Sequence, residues 1–396
     1  MKQDAKTQDT NFPRAIRKLG RVMPLVLAAV LLTGMSVVVN PYANVDWDRV
    51  EQHKANLHTH TTQSDGRIPP HEVVDEYKAR GYSILAVTDH NLCTWPWTEF
   101  ASLERKGRAF LGDRAKEKNA EEEDAAKKEA RESKAPEVPA YENRDPEALG
   151  MLAVPGNEPS RHHHMGTYFI DYETRSNDLE QTLAEVGEAG GLAMLFHPER
   201  YWSKDADGEI TPEIVDRYIT LFRDYDHLFG MEIINQGQRY KNDIALWDHV
   251  LAESMPALPV WGYANDDMHG ISALGRDSNM FLLTALTEEE LRAAMLTGRS
   301  YIRSVSTHER ADRDMAQTPI VQTIRHDEEA GTITITAESG GKPLPEDRYN
   351  WISDGEAVHT GPTLDYKNTG GLGSYVRAEM RGDGGTAFTN PFGLAR

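Results

Sequence analysis

The sequence predicts an α/β fold of the barrel kind joined to a smaller all-β region. Three observations carry this. Helix-patterned and strand-patterned segments alternate from about residue 47 to 305. Most of the strand-patterned segments end in polar, ionisable residues, which is where α/β barrels carry their chemistry. Beyond about residue 316 the pattern changes to short alternating strands separated by Gly and Asp turns.

The chain has 396 residues, 39% of them hydrophobic and 27% charged, with a formal net charge of -20. That suits one large domain with an accessory one. A field of this sign repels phosphate backbones, so no nucleic-acid partner is expected. A small phosphorylated substrate remains compatible, because bound cations reverse the charge locally. Cys93 is the single cysteine, so no intrachain disulfide forms.

Taken in order, residues 1–21 form a basic tail carrying Arg14, Arg17, Lys18 and Arg21. The uncharged run Val22 to Val39 follows. Its length is near the lower limit for a membrane-spanning helix, about 17–25 residues. The basic flank should stay in the cytoplasm, which places the bulk of the chain on the periplasmic or outer side. A transmembrane helix over 22–39, with membrane contact through it, is therefore expected. The rival is a cleaved signal peptide and a secreted product. Asn40, Pro41 and Tyr42 after the run offer no small-x-small cleavage pattern.

A short linker leads to Trp47. His71 to Gly81 reads as a helix, with Val73, Val74 and Tyr77 as its apolar stripe and Gly81 as its stop. Tyr82 to Asn91 reads as a buried strand. Residues 101–148 are rich in Lys, Glu, Asp and Ala with little apolar periodicity, and read as a solvated, charged insertion. Leu179 to Gly191 is a helix and Leu192 to Arg200 a strand with a polar tip. The segments 230–237 and 259–270 repeat that form. The barrel-like part ends near 291–304. "TITITAES", Thr332 to Ser339, alternates cleanly, and residues 316–396 are expected to form a β-sandwich.

The strand tips deliver His58, His60, Asp65, Asp89 with His90, Glu158, the triplet His162-His163-His164, His197, Glu232, and Asp267 with His269. Imidazoles and carboxylates together suit Zn²⁺, Mn²⁺ or Fe²⁺. So many donors on separate strands point to two or three ions. Each element alone has an ordinary reading: a polar loop, a helix cap, a solvated turn or a core histidine. Their joint appearance at strand ends favours a metal site.

Here a resemblance enters. "NLHTHTTQSDG", "LAVTDHN", "PGNE", "FHPER" and "NDDMHG" resemble, in order, the motifs of the PHP (polymerase and histidinol phosphatase) family, over about residues 55–304. The resemblance implies a distorted (β/α)7 barrel with a trinuclear metal site. It implies that His58, His60 and Asp267 hold one ion. Glu158 would bridge to a second ion held by His164 and His197. Asp65, His90 and His269 would hold the third. Within the triplet, His162, His163 and His164 all remain candidates, His164 fitting the motif best. The implied chemistry is hydrolysis of a phosphate ester by metal-activated water, with His58, His60, Glu158 and Asp267 at its centre.

Arg161 and Arg200 are the expected substrate contacts, since guanidinium grips phosphate in a bidentate manner. Arg303 is a further one. Glu232 and Asn235 are expected behind the ligands or in the pocket wall, and Asp89 is expected to orient His90. Two other readings compete. One is an amidohydrolase-like metal hydrolase; the other is a non-catalytic binding module with structural metals.

Overall fold

The computed structural model describes residues 35–103, 140–173, 176–203, 208–237, 239–305 and 311–396. The described chain opens with β1 (Ser36–Val39) and β2 (Glu51–Asn56), followed by β3 (Ile84–Ala86) and β4 (Leu152–Val154). At Pro155 it crosses into a second sheet of five strands. These are β5 (Gly156–Asn157), β6 (Met165–Tyr168), β7 (Leu192–Leu195), β8 (Leu228–Asn235) and β9 (Trp261–Asn265), paired in that order. The chain then returns to the first sheet as β10 (Asp277–Leu283) and β11 (Ser300–Val305). β2, β3 and β4 run parallel, as do β7, β8 and β9, while β10 lies antiparallel to β2.

One core fills the space between these two sheets. Ala55, Ile84 and Phe281 from the first sheet pack with Tyr168, Met194, Phe229 and Tyr263 from the second. Helices Leu179–Glu188, Pro212–Asp224 and Asp243–Ser254 cover the outside of β7 and β8. Their apolar faces (Leu183 and Val186, Tyr218 and Phe222, Leu246 and Trp247) meet Leu195, Met231 and Ile233. Helix Pro70–Ala79 starts at a proline that presets its first turn, and buries Val73, Val74 and Tyr77 against Tyr82 and Leu85.

The expected seven-stranded barrel is not closed by a ladder. Among the described residues no run of backbone bonds joins the two sheets. Two isolated bridges, Thr59–Met268 and His90–Glu158, tie them near the strand ends. Along the edge of β9, side-chain amides occupy the place of a neighbouring strand. Asn279 accepts from Ala264 N at 3.0 Å and donates to Ala264 O at 2.8 Å. Asn390 accepts from Gly262 N at 2.9 Å, and Asn265 accepts from Leu57 N at 2.9 Å.

The C-terminal strands are β12 (Ile320–Asp327), β13 (Thr332–Ser339), β14 (Lys342–Pro343), β15 (Tyr349–Ser353), β16 (Glu356–Thr360), β17 (Thr363–Asp365), β18 (Tyr375–Arg381), β19 (Gly385–Thr389) and β20 (Phe392–Ala395). β12, β13, β14 and β17 form a four-stranded sheet. The others join the first sheet, through β19 pairing with β11, and bring it to eleven strands. Val321, Ile333 and Leu364 of the small sheet pack on Met280, Tyr301, Trp351 and Ala378 of the large one. The strands of the expected sandwich thus share a sheet with the strands of the expected barrel.

Three further expectations change. Residues 36–39 are a strand paired with β20, so an apolar helix reaching Val39 is corrected, and 22–34 lie outside the described residues. Among the described residues no helix is long and apolar enough to cross a membrane. Of the charged insertion, 104–139 lies outside the described residues, and the part that follows contains a helical turn, Pro146–Leu149. The strands expected over 82–91 and 192–200 are short, Ile84–Ala86 and Leu192–Leu195. Their polar tips are irregular backbone, except that Glu199–Trp202 turns into a short helix.

Candidate metal centre

The polar tips converge at one end of the two sheets. His58 and His60 follow β2, Asp65 lies in the next loop, and His90 follows β3. Glu158 follows β5, His164 precedes β6, His197 follows β7, and Asp267 and His269 follow β9. The loop after His60 closes tightly: a Cβ on Gly66 would lie 2.5 Å from the His60 carbonyl oxygen. Asn91, His197, Gln236 and Asp267 all have positive φ, between 30 and 58. This strained backbone marks places where the chain is held against its preference.

Glu158 is the hub. Its Oε1 lies 2.6 Å from His164 Nδ1 and 3.6 Å from His197 Nε2. Its Oε2 lies 2.9 Å from His90 Nδ1, 3.2 Å from His60 Nε2 and 3.5 Å from His58 Nε2. Asp267 Oδ1 lies 3.3 Å from His58 Nε2, 3.2 Å from His60 Nε2 and 3.4 Å from His269 Nδ1. Asp65 reaches His269 Nε2 at 3.1 Å, His90 Nε2 at 3.4 Å and His60 Nδ1 at 3.7 Å. All nine residues expected from the sequence are therefore brought together.

The donor set fits divalent cations. Both Glu158 oxygens, Asp65 Oδ1, His90 Nδ1 and His164 Nδ1 are buried and make no hydrogen bond, although oppositely charged partners lie close by. Buried polar atoms rarely stay unsatisfied, and atoms aimed at a shared point without hydrogen-bond geometry are how ligands face an ion. Donor atoms fall within 4.8 Å of one another in several groups, among them His58 with His60 and Glu158, His90 with Glu158 and His164, and His60 with Asp65, His90 and His269.

The electrostatics favour positive charge. Burial alone lowers the His60 pKa, but the carboxylates of Asp267 and Glu158 outweigh it and raise the ring to about 10. Burial likewise opposes His90, which Glu158 and Asp65 lift to about 9. For His58, burial is overcome by Asp267, Glu232 and Glu158, and the pKa rises well above its usual value. Glu158 and Asp267 are held below the carboxylate range by the surrounding imidazoles, against the effect of burial. His164 behaves oppositely: burial exceeds the pull of Glu158 and lowers it to about 4, leaving a neutral ring with a lone pair to offer.

Behind the donors lies an orienting layer. Glu232, fully buried, accepts four hydrogen bonds. His58 Nδ1 and Asn265 Nδ2 donate to Oε1 at 3.1 and 3.0 Å; Asn235 Nδ2 and the His197 backbone N–H donate to Oε2 at 2.9 and 3.0 Å. This leaves His58 Nε2 facing Glu158 and Asp267, the carboxylate–imidazole arrangement common behind metal ligands. Gln236 donates to Asp267 Oδ2 at 2.9 Å and Asn235 donates to the same oxygen at 3.3 Å, leaving Oδ1 toward the rings. The positions of Glu232 and Asn235 match their expected places behind the ligands. Asn265 and Gln236 were not singled out from the sequence; the only hint is an amide at a strand tip.

Two expectations are corrected, and the choice left open within the triplet narrows to the favoured His164. Asp89 does not orient His90. It accepts from Thr61 N at 2.8 Å and from the hydroxyls of Thr61, Ser64 and Thr94, and so braces the loop behind His60. Arg303 is buried and donates to the carbonyls of Met315, Thr318 and Pro319 at 2.6 to 3.0 Å, a structural role. Within the triplet, His162 bonds Thr182 and the His163 carbonyl, and His163 bonds Tyr218 and the His164 carbonyl. Only His164 turns a ring nitrogen to Glu158. Arg161 and Arg200 are both exposed.

Fold and site together define a mixed α/β protein with a histidine–carboxylate centre at its strand ends. No protein-family model matches the chain. A stretch of 57 residues is 44% identical to a 3',5'-nucleoside bisphosphate phosphatase of Chromobacterium violaceum, covering 14% of this chain and 20% of that protein. The chain thus matches about a fifth of that relative's length. A two-domain protein from Bacteroides vulgatus, described as containing a predicted PHP-like metal-dependent phosphoesterase, aligns over 90% of this chain and 98% of its own, with 15% identity and a TM-score of 0.44. An amidohydrolase from Chromobacterium violaceum aligns over 54% of this chain and 87% of its own, with 16% identity and a TM-score of 0.32.

Proposed function

We propose that the protein is a metal-dependent hydrolase that cleaves phosphate esters. One observation carries this reading: the Glu158 carboxylate, 1% exposed and without a hydrogen bond, lies within 3.6 Å of ring nitrogens from five histidines. When bound, two to three ions of manganese, zinc or iron supply a nucleophilic water at neutral pH and offset phosphoryl charge. His58, His60 and Asp267 would hold one ion. Glu158 would bridge to a second at His164 and His197, and Asp65, His90 and His269 would hold a third. Glu232 keeps His58 in the tautomer whose Nε2 faces inward. Asn235 and Gln236 do the same for Asp267 Oδ1. Arg161 and Arg200 are the proposed contacts to the substrate phosphate. Support for a phosphate ester comes also from the short, closely similar stretch shared with a nucleoside bisphosphate phosphatase.

The test is metal analysis of the purified full chain, with hydrolysis of phosphomonoester and phosphodiester panels on the same preparation. Two to three ions per chain are expected. H58A and D267A should lower turnover more than about a hundredfold, since even residues behind the ligands are worth roughly 10–100-fold. A chain that takes up no manganese, zinc or iron after reconstitution, and hydrolyses neither ester class, would overturn the proposal.

A further inference from the structure

Glu158 sits at a junction between the two sheets that no ladder closes, and the residues after β3 grip its backbone on both sides. Its N–H donates to the Asp89 carbonyl at 3.1 Å, and its carbonyl accepts from the Asn91 N–H at 2.9 Å. These bonds make the isolated His90–Glu158 bridge. Across the same junction the Glu158 carboxylate faces His90 Nδ1 at 2.9 Å on one side and His164 Nδ1 at 2.6 Å on the other. Metal ligands must be held within about 0.5 Å of their working positions by locked neighbours. The bridge alone fixes the backbone of Glu158 and leaves the chain beyond it to be held by something else.

The side chain of Asn91 supplies that hold. Its Nδ2 donates to Ser160 Oγ at 2.8 Å, and its Oδ1 accepts from the Ser160 N–H at 3.0 Å. The amide thus closes a two-bond ring with the residue two positions past Glu158. Ser160 is 7% exposed, which shields the pair from most of the competing water. Both partners adjoin the centre: Asn91 follows His90, and Ser160 lies between Glu158 and His164, beside Arg161. Asn91 has a φ of 58, in the left-handed region that asparagine tolerates and glycine adopts freely. Replacement by glycine therefore removes the amide without straining the folded backbone.

We infer that Asn91 is a positioning residue for the metal centre. By clamping Ser160 it holds the loop 158–164 against the residues after β3, and so sets the gap between Glu158 and His90 across which an ion is shared. It acts through Ser160 and touches neither ion nor substrate. The inference rests on the metal centre proposed for the hydrolase and needs no ester to be cut.

The experiment is titration of the full chain with manganese against a metallochromic chelator, for wild type, N91G, S160A and the double variant. N91G should weaken at least one ion by roughly tenfold or more. S160A keeps the backbone bonds and should weaken the same ion by about threefold, the worth of one neutral hydrogen bond. In the N91G background S160A should add nothing, because its hydroxyl has already lost the Asn91 donor. A purely structural loss at either position would instead add in full. Wild-type affinity in N91G overturns the clamp, and so does an S160A effect that is the same with and without Asn91. If N91G does not fold, S160A alone decides, and wild-type affinity there overturns the clamp. Phosphoester turnover on the same preparations separates the two ideas. Turnover with wild-type affinity in N91G removes only the clamp. Coupled affinity losses without turnover in wild type remove the esterase and leave the clamp, whereas a wild-type chain that binds no ion overturns both.

Discussion

At Glu232 a carboxylate is required because four donors meet it. Glutamine has one accepting oxygen and one donating nitrogen, so two of the four would face a donor. Asn265 cannot turn over to compensate, since its oxygen already accepts from Leu57 N at 2.9 Å and Asn279 Nδ2 at 3.0 Å. E232Q should therefore fold but weaken metal affinity by roughly 10–100-fold. Competition with a metallochromic chelator measures this; wild-type affinity in E232Q would show that His58 needs no such anchor. Residue type and position at expected strand ends put the nine candidate ligands on a longer list of imidazoles and carboxylates, and the resemblance to PHP motifs picked them out of it. The residues that aim them were less legible. Asn265 and Gln236 belong to types that serve anywhere, and only their partners across other strands define their task. Asp89 was misread for the same reason: its neighbour in sequence is His90, but its hydrogen bonds go to Thr61, Ser64 and Thr94.

Among elements, the alternation of helices and strands was visible from apolar periodicity, and β13 spans Thr332–Ser339 as its alternating pattern indicated. The seam along β9 was not visible, because it is made by single asparagines rather than by a strand with a period. Element ends also carry a pH dependence. Asp277 opens β10 and accepts from Gly237 N, past the end of β8, at 2.6 Å. Burial, reinforced by the nearby Asp266 charge, pushes its carboxyl up to about 8. Unfolded, it would titrate near 3.9. Between those values the folded chain holds the extra proton, so this contribution is complete below the unfolded value and is lost as pH rises toward 8. The loss is at most about 1.4 kcal/mol per pH unit. D277N keeps the neutral shape and should flatten that slope in urea denaturation at pH 6, 7 and 8. Parallel slopes for the variant and wild type would contradict the assignment.

For the whole molecule, the C-terminal strands are attached to the metal-binding half in two ways. One is the β19–β11 ladder. The other is a buried fork: Arg377 on β18 donates to Asp248 on helix Asp243–Ser254 at 2.7 and 2.8 Å, and to Glu379 at 2.8 Å. Tyr375 donates to the same aspartate at 2.7 Å. Removing one partner of such a pair leaves a buried charge and costs about 3–5 kcal/mol. R377M should lose that much stability in urea denaturation, and D248N combined with R377M should recover part of it. A cost below about 1 kcal/mol for R377M would mean that the pair does not hold the halves together. The shared sheet was not legible because the change in texture near residue 316 marks a change in strand length and turn density. It carries no information about which strand each new one joins.

The pairing of β1 with β20 sets an order of events during synthesis. Ser36 pairs with Ala395, 359 positions further on, so the first described strand gains its ladder partner only when the last one has been made. The first sheet therefore cannot be completed from the N-terminal end as the chain emerges. Val37, an apolar residue packed beside β20, must wait beside a growing chain until residues 392–395 are made. A nascent chain with such a late closing step spends its synthesis incomplete, with an unpaired strand edge that chaperones can hold.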